Sequence, residues 1–312
     1  MAATSPTRNA DLGETLNSLV KWAWLGFMVL LIGIPLLIVV SASFTGKQAM
    51  FAGKPFLLPK DPTLEYWTES ISGLVQPLLN SFLASLGSVI LSLLIAVPGG
   101  YAFARTEFRY KEWLFYLVIL ALLFPIIILV MPIVDVFVGL GLFNNLPGLW
   151  ISYQLMAAPF AIWILRDYFE GLPANLEEAA QVYGCTQFTA FRRVMLPLSL
   201  PGVVAVGFIS FMIAWNEFLY TNMLTTGQGP RTAVVHLFVQ TMGGERVLWG
   251  WLMTQAIIIG IPPAILYIFA RRYLSNAFAF CTAPTGVGFS SDCAGVAGRP
   301  PGRDRRPNIA KQ

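Results

Sequence analysis

LPANLEEAAQVYGCTQFTAFRRVMLPLSLP, residues 172–201, is a moderately polar, helix-coded stretch between two strongly apolar blocks. Asn175 is placed to cap a helix, with Glu178 at the third position reaching back as a capping box. Leu176, Ala180 and Tyr183 then fall on one face. Gly184 stands where a helix should stop. Thr186 is placed to cap a second helix carrying Phe188, Phe191 and Met195 on one side, and Pro197 and Pro201 precede the next apolar run. The pattern predicts a helix, a glycine turn and a second helix, forming an elbow at a membrane surface.

The apolar blocks on either side set the class. The chain of 312 residues is 56% hydrophobic and 12% charged, with a mean hydropathy of +0.67. Soluble domains carry about a quarter charged residues. The charges here gather in short segments, and the apolar runs between them approach the length of a membrane crossing. These runs are continuous rather than alternating, which points to helices and away from a β-barrel. The fold class predicted is all-α polytopic, with six transmembrane helices near 22–44, 78–104, 113–137, 149–165, 202–224 and 249–269. Pro35 should bend the first, and Pro125 and Pro132 interrupt the third. The first run has no cleavage site after it and reads as a retained span.

Four segments follow: 1–20, a polar N-terminal segment; 21–76, the first span and a mixed loop; 77–275, a core of five helices with the elbow; and 276–312, a tail. From Cys281 the tail is rich in Gly, Pro and Arg and has no apolar periodicity, a composition expected to be disordered. Residues 138–148 read as a turn and 225–248 as a Gly- and Thr-rich loop. No internal repeat supports a doubled transporter architecture.

Counting Lys and Arg orients the chain. With the N-terminus inside, the inner segments hold Arg8, Lys21, Arg105, Arg109, Lys111, Arg166, Arg192, Arg193, Arg271 and Arg272, and the outer loops hold Lys47, Lys54, Lys60, Arg231 and Arg246. The bias puts both termini and the elbow in the cytoplasm. The net charge of +4 gives no reason to expect a nucleic-acid partner, whereas membrane lipids must surround the spans.

Little in the chain suits catalysis. No GxxxxGK[ST], HExxH or GxSxG occurs. His236 is the one histidine, so no histidine-based triad is available, and no metal site is expected; a carboxylate-only membrane enzyme stays open as an alternative. Cys185, Cys281 and Cys293 show neither metal-site nor disulfide spacing. Ser81, Ser85, Ser88 and Ser92 form a small polar stripe of the kind that lets membrane helices approach closely. Trp215, Asn216 and Glu217 lie together in the fifth span. A carboxylate there must face a bundle interior or a wet cavity. Their hydrogen-bonding groups and aromatic surface would suit a sugar in a translocation pathway, and a structural hydrogen bond would explain Glu217 equally.

LEEAAQVYG followed by FRRVMLPLSLP resembles the EAA motif of binding-protein-dependent ABC importer permeases. LLNSFLAS at 78–85, PGGYAFAR at 98–105, PFAIWILRDYF at 159–169, AWNEFLY at 214–220 and WGWLMTQAIIIGIPPAILYIFARRYL at 249–274 resemble its carbohydrate-uptake branch, specifically maltose-type (MalG-like) subunits. The resemblance covers about residues 20–276. It implies a type I importer permease fold with both termini inside, in the cytoplasmic membrane of a prokaryote. It implies a second, MalF-like permease, two ABC ATPase subunits and an extracytoplasmic sugar-binding protein. No cofactor would sit in this chain, since the ATPases would bind ATP and Mg. The solute would be a sugar, with a polyol, glycerol phosphate or an amino acid as alternatives.

By the same resemblance Glu178, Ala179, Ala180 and Gly184 couple the subunit to its ATPases. Glu178 would pair with a basic residue, the alanines would let the helix sit deep in a cleft, and Gly184 would make the turn. The family pattern usually reads Glu-Ala-Ala-x-x-Asp-Gly-Ala, and here Tyr183 and Cys185 replace the Asp and the last Ala. An Asp can tie such a turn through its side chain; with Tyr183 the turn is expected to be held by packing. The tail from Cys281 also departs from the family, which ends soon after the last span.

Overall fold

The computed structural model describes residues 7–46, 62–173, 175–227, 229–243 and 249–282, and every element among them is helical. Among the described residues the one β-type contact is an antiparallel bridge between Thr45 and Pro62. The helices are α1 (Thr7–Ser43), α2 (Glu65–Arg105), α3 (Lys111–Leu123), α4 (Ile126–Gly139), α5 (Leu146–Gly171), α6 (Asn175–Val182), α7 (Gln187–Leu198, with a π turn at Phe191–Met195), α8 (Leu200–Trp215), α9 (Leu219–Leu224), α10 (Ala233–Gly243) and α11 (Trp249–Thr282).

Four of these are long and apolar enough to cross a membrane alone: Asn17–Ser43 within α1, then α2, α5, and Trp249–Leu274 within α11. The count reaches six when two bent pairs are each taken as one span. The predicted third span is the first such pair, α3 and α4, which meet at 98°. Phe124 and Pro125 between them are extended, because proline disfavours the helical conformation in the residue before it. Each half is about 20 Å long, short of the roughly 30 Å hydrocarbon core. Pro132, by contrast, lies inside α4 without ending it. The second pair, α7 and α8, is bent by 73°.

The helix bounds differ from expectation in several places. α2 starts at Glu65, within the stretch read as loop. Its first turns carry a helical stripe, Tyr66, Ser70, Leu74 and Pro77, that is fully buried although the segment is polar overall. α10 fills part of the loop expected at 225–248. α11 runs on to Thr282, past the start of the expected tail, and the rest of that tail lies outside the described residues, as do residues 47–61 of the first outer loop.

α2 packs chiefly on α5, and α8 packs on both. Asn145 starts α5 by accepting from Gly148 N at 2.8 Å, with Pro147 in the first turn. The serine stripe faces the helices packed around α2 and is buried at all four positions. Gln154 Nε2 donates to Ser88 Oγ and to its carbonyl, each at 3.1 Å. Ser92 Oγ lies 3.2 Å from Ser210 Oγ on α8, and Ser81 Oγ accepts from Ala233 N at 2.8 Å. At Gly100 the helices touch, since a Cβ there would lie 2.8 Å from Leu165 Cβ. α1 packs on α11, and its most apolar window is only 6% buried, so that surface faces lipid or another chain.

Gly100→Ala should therefore overpack the α2–α5 contact and destabilise the fold by about 1–3 kcal/mol. Ser85→Ala should be neutral or slightly stabilising, because Ser85 Oγ is buried without a partner among the described residues. Thermal unfolding of the two variants in detergent checks both, and a Gly100→Ala protein as stable as wild type would contradict the packing argument.

Candidate functional site

The elbow forms where the sequence places it. α6 is a helix of eight residues whose first residue is Asn175. Asn175 therefore lies inside the helix instead of capping it. The helix ends in a Schellman turn. Gly184 has φ +88°, its N–H bonds to the Gln181 carbonyl at 2.9 Å, and the Cys185 N–H bonds to the Ala180 carbonyl at 3.0 Å. Backbone hydrogen bonds close this turn, so neither an Asp side chain nor the expected packing is needed. Tyr183, which takes the place of Asp, is 89% exposed. Thr186 caps α7 as predicted, accepting from Thr189 N at 3.3 Å.

Leu176, on the predicted common face with Ala180 and Tyr183, is exposed, and so are Val182 and Phe188. Glu178, Ala179 and Gly184 are also exposed, and Ala180 is half-buried. The buried residue of α6 is Glu177, at 7% exposure. Its carboxylate accepts the hydroxyl of Tyr101 from the end of α2. Burial of a carboxylate is costly without such a donor. The elbow thus turns a carboxylate inward and presents apolar side chains beside Glu178 outward, an arrangement suited to docking another protein.

Around this contact the last turn of α2 holds the rest. Arg105 Nη2 donates to the Phe169 carbonyl at 2.7 Å and to the Leu172 carbonyl, at the C-terminal end of α5. The Tyr101 ring lies 4.4 Å from Phe191 and 5.7 Å from Phe169. Tyr101 and Arg105 belong to the PGGYAFAR block. Their part in the elbow was invisible in sequence, because the partners are 60 to 90 positions away and nothing local marks Glu177 over Glu178 as the inward one.

Trp215, Asn216 and Glu217 lie at a break between α8 and α9, where α8 stops short of the expected span end. Trp215 is buried in a cluster with Leu74, Phe211, Ala233 and Ile259 and stacks on Phe211 at 5.3 Å. Asn216 is exposed, and its amide donates to the Met212 carbonyl at 2.8 Å. Glu217 serves the start of α9: Oε1 accepts from Tyr220 N at 2.8 Å, and Oε2 accepts from Thr221 N at 3.0 Å and Thr221 Oγ1 at 2.9 Å. The three therefore point into different surroundings, and the carboxylate meets the orphan N–H groups of a helix start. Beyond them, Asn144 joins the neighbouring loops: its N–H donates to the Leu224 carbonyl at 2.8 Å, and its Oδ1 accepts from Thr226 N at 3.0 Å.

His236 on α10 is partly buried, and its Nε2 has no partner among the described residues. Burial, and then the charge of Arg231, lower its pKa below the usual histidine value. No group of three potential metal ligands occurs among the described residues.

A bundle of long apolar helices carrying an exposed helix-turn-helix elbow defines a helical membrane protein. The chain belongs to the family of binding-protein-dependent transport system inner membrane components, which residues 96–279 match, and it is a multi-pass membrane protein. It is similar to the sulfoquinovosyl glycerol transport system permease protein of Agrobacterium fabrum, 32% identical over 74% of this chain and 82% of that protein. It is also similar to the trehalose transport system permease protein of Mycobacterium tuberculosis, 32% identical over 78% of this chain and 89% of the relative. Its fold is that of a chain in a bacterial ABC transporter involved in the import of the acidic polysaccharide alginate, with a TM-score of 0.69 at 20% identity, covering 87% of this chain and 99% of that one.

Two outcomes follow from the polar contacts. Glu217→Ala strands two backbone donors and a hydroxyl, and should lower stability by about 1–3 kcal/mol, read as a lower Tm in detergent; an unchanged Tm would contradict the cap. For His236 the unfolded chain takes up a proton first as pH falls, because the folded pKa is the lower. Stability around α10 should therefore be full above the ordinary histidine range, about 6.5, and decline below it. Hydrogen exchange of α10 against pH checks this, and His236→Gln should flatten the profile.

Proposed function

We propose that this chain is the permease subunit of an ATP-driven importer for a sugar, mono- or oligosaccharide, delivered by an extracytoplasmic binding protein. The observation that carries the reading is the elbow: Glu178, Ala179 and Gly184 stand exposed on a defined helix-turn-helix, in the arrangement of the EAA motif. Relatives named for sulfoquinovosyl glycerol and trehalose transport support a saccharide as the solute.

In this reading the subunit spans the cytoplasmic membrane of a prokaryote six times, with both termini and the elbow inside. It pairs with a second, MalF-like permease, and the solute passes between the two. Two ABC ATPases bind ATP and Mg and dock on the elbow, so this chain holds no cofactor of its own. Glu178 meets a basic residue of the ATPase, while Ala179, Ala180, Val182 and Tyr183 fill its cleft. Closure of the ATPases displaces the elbow, and the helices switch as rigid bodies between inward- and outward-facing states. Trp215, Asn216 and Glu217 are proposed to shape the pathway through the break between α8 and α9, with Glu217 holding α9 in place and Asn216 exposed beside it.

The purified complex, with its binding protein, tests the reading: its ATPase activity should be stimulated by one or a few sugars in a panel that also contains polyols, glycerol phosphate and amino acids. Stimulation by a non-sugar alone would reject the solute class. Glu178→Lys should leave the subunit folded while reversing a partly buried charge contact, a loss of a few kcal/mol that removes most of the stimulation. Full transport by that variant would remove Glu178 from the interface.

A further inference from the structure

The elbow hangs from one helix end. Its three segments are the chain leaving α5, then α6, then α7, and each is held by the last turn of α2. Arg105 takes the Phe169 and Leu172 carbonyls, the Tyr101 hydroxyl takes the Glu177 carboxylate, and the Tyr101 ring takes Phe191 on the π turn of α7. Glu177 is buried, while Val182 on the same short helix and Tyr183 just past its end are exposed. The inward side of α6 is thus the one that carries the polar contact with Tyr101.

α2 is fastened on its N-terminal side as well, about four turns in from its start. Asn80 Nδ2 donates to the Arg231 carbonyl at 3.1 Å, and Ser81 Oγ accepts from Ala233 N at the start of α10. Between Ser81 and Tyr101 the helix is continuous over about 30 Å. One unbroken helix, with Pro98 inside its last turns, therefore joins the elbow to the loop segment on the opposite side.

We propose that the Tyr101–Glu177 hydrogen bond is the grip through which displacement of the elbow is passed to α2, so that the adjacent glutamates divide the work: Glu178 faces the partner, and Glu177 faces the membrane core of its own chain. Tyr101 and Glu177 are positioning residues, since they meet neither nucleotide nor solute. The inference rests on the importer reading above.

The test uses the full complex in proteoliposomes, measuring uptake and ATP hydrolysis together. Spin labels at the exposed Gln181 and Glu107, with the three native cysteines replaced by serine, report the elbow-to-α2 distance with and without ATP. Tyr101→Phe keeps the ring stack and removes the hydroxyl. It should assemble normally, yet lose about tenfold in solute taken up per ATP hydrolysed, and its label distance should broaden. Glu177→Gln retains an acceptor for the hydroxyl and should stay within about threefold of wild type, whereas Glu177→Leu should behave as Tyr101→Phe. Wild-type uptake per ATP and an unchanged distance in both Tyr101→Phe and Glu177→Leu would overturn the grip. So would losses explained wholly by less assembled complex, which would make the bond a folding contact. A wild-type complex that hydrolyses ATP without taking up any sugar would reject the sugar reading instead, and the distance measurement would still decide the grip.

Discussion

The close approach of α2 to α5 is the contact on which the rest of the molecule depends. Membrane helices gain nothing from hiding apolar surface from one another, since lipid is equally apolar; they associate through tight packing and polar contacts. This pair has both. Serines and glycines on α2 bring the backbones together, and Gln154 bonds across the interface at Ser88. Because Gly100 lies against Leu165, the end of α2 arrives beside the end of α5. Only from there can Arg105 reach the carbonyls of Phe169 and Leu172. The elbow's position follows from that packing.

The elbow itself shows how little a turn depends on one side chain. A family pattern with Asp before the glycine invites the idea that Asp makes the turn. Here Tyr183 stands in that place, fully outside the fold, and the turn closes through backbone groups of Ala180, Gln181, Gly184 and Cys185. What the geometry does require is the positive φ at Gly184, a conformation in which a side chain would be strained. The side chain at 183 is thereby free to serve the outward surface.

Glu217 illustrates the same economy elsewhere. A carboxylate in an apolar run has to be compensated, and at this site the compensation is the free N-terminal end of α9. Its two backbone donors and the Thr221 hydroxyl engage both oxygens, which fixes the break between α8 and α9 and with it the exposed position of Asn216.

The all-helical membrane class, the places of most spans, the break at Pro125, the glycine turn and the Thr186 cap were all determined by the sequence alone. Each rests on local chemistry: hydropathy over a helix length, the restriction proline imposes on its neighbour, the freedom of glycine, the reach of a hydroxyl. The family pattern in the elbow was legible for the same reason, being contiguous. Only the tertiary structure decided which of two adjacent glutamates turns inward, that Trp215 is buried while Asn216 is exposed, and that polar residues 65–77 begin a long helix instead of ending a loop. These depend on groups far away in the chain, such as Tyr101 for Glu177 and the Phe211 and Ile259 cluster for Trp215. Helical periodicity names a face but not what that face meets, and a buried polar group follows its partner, not its hydropathy.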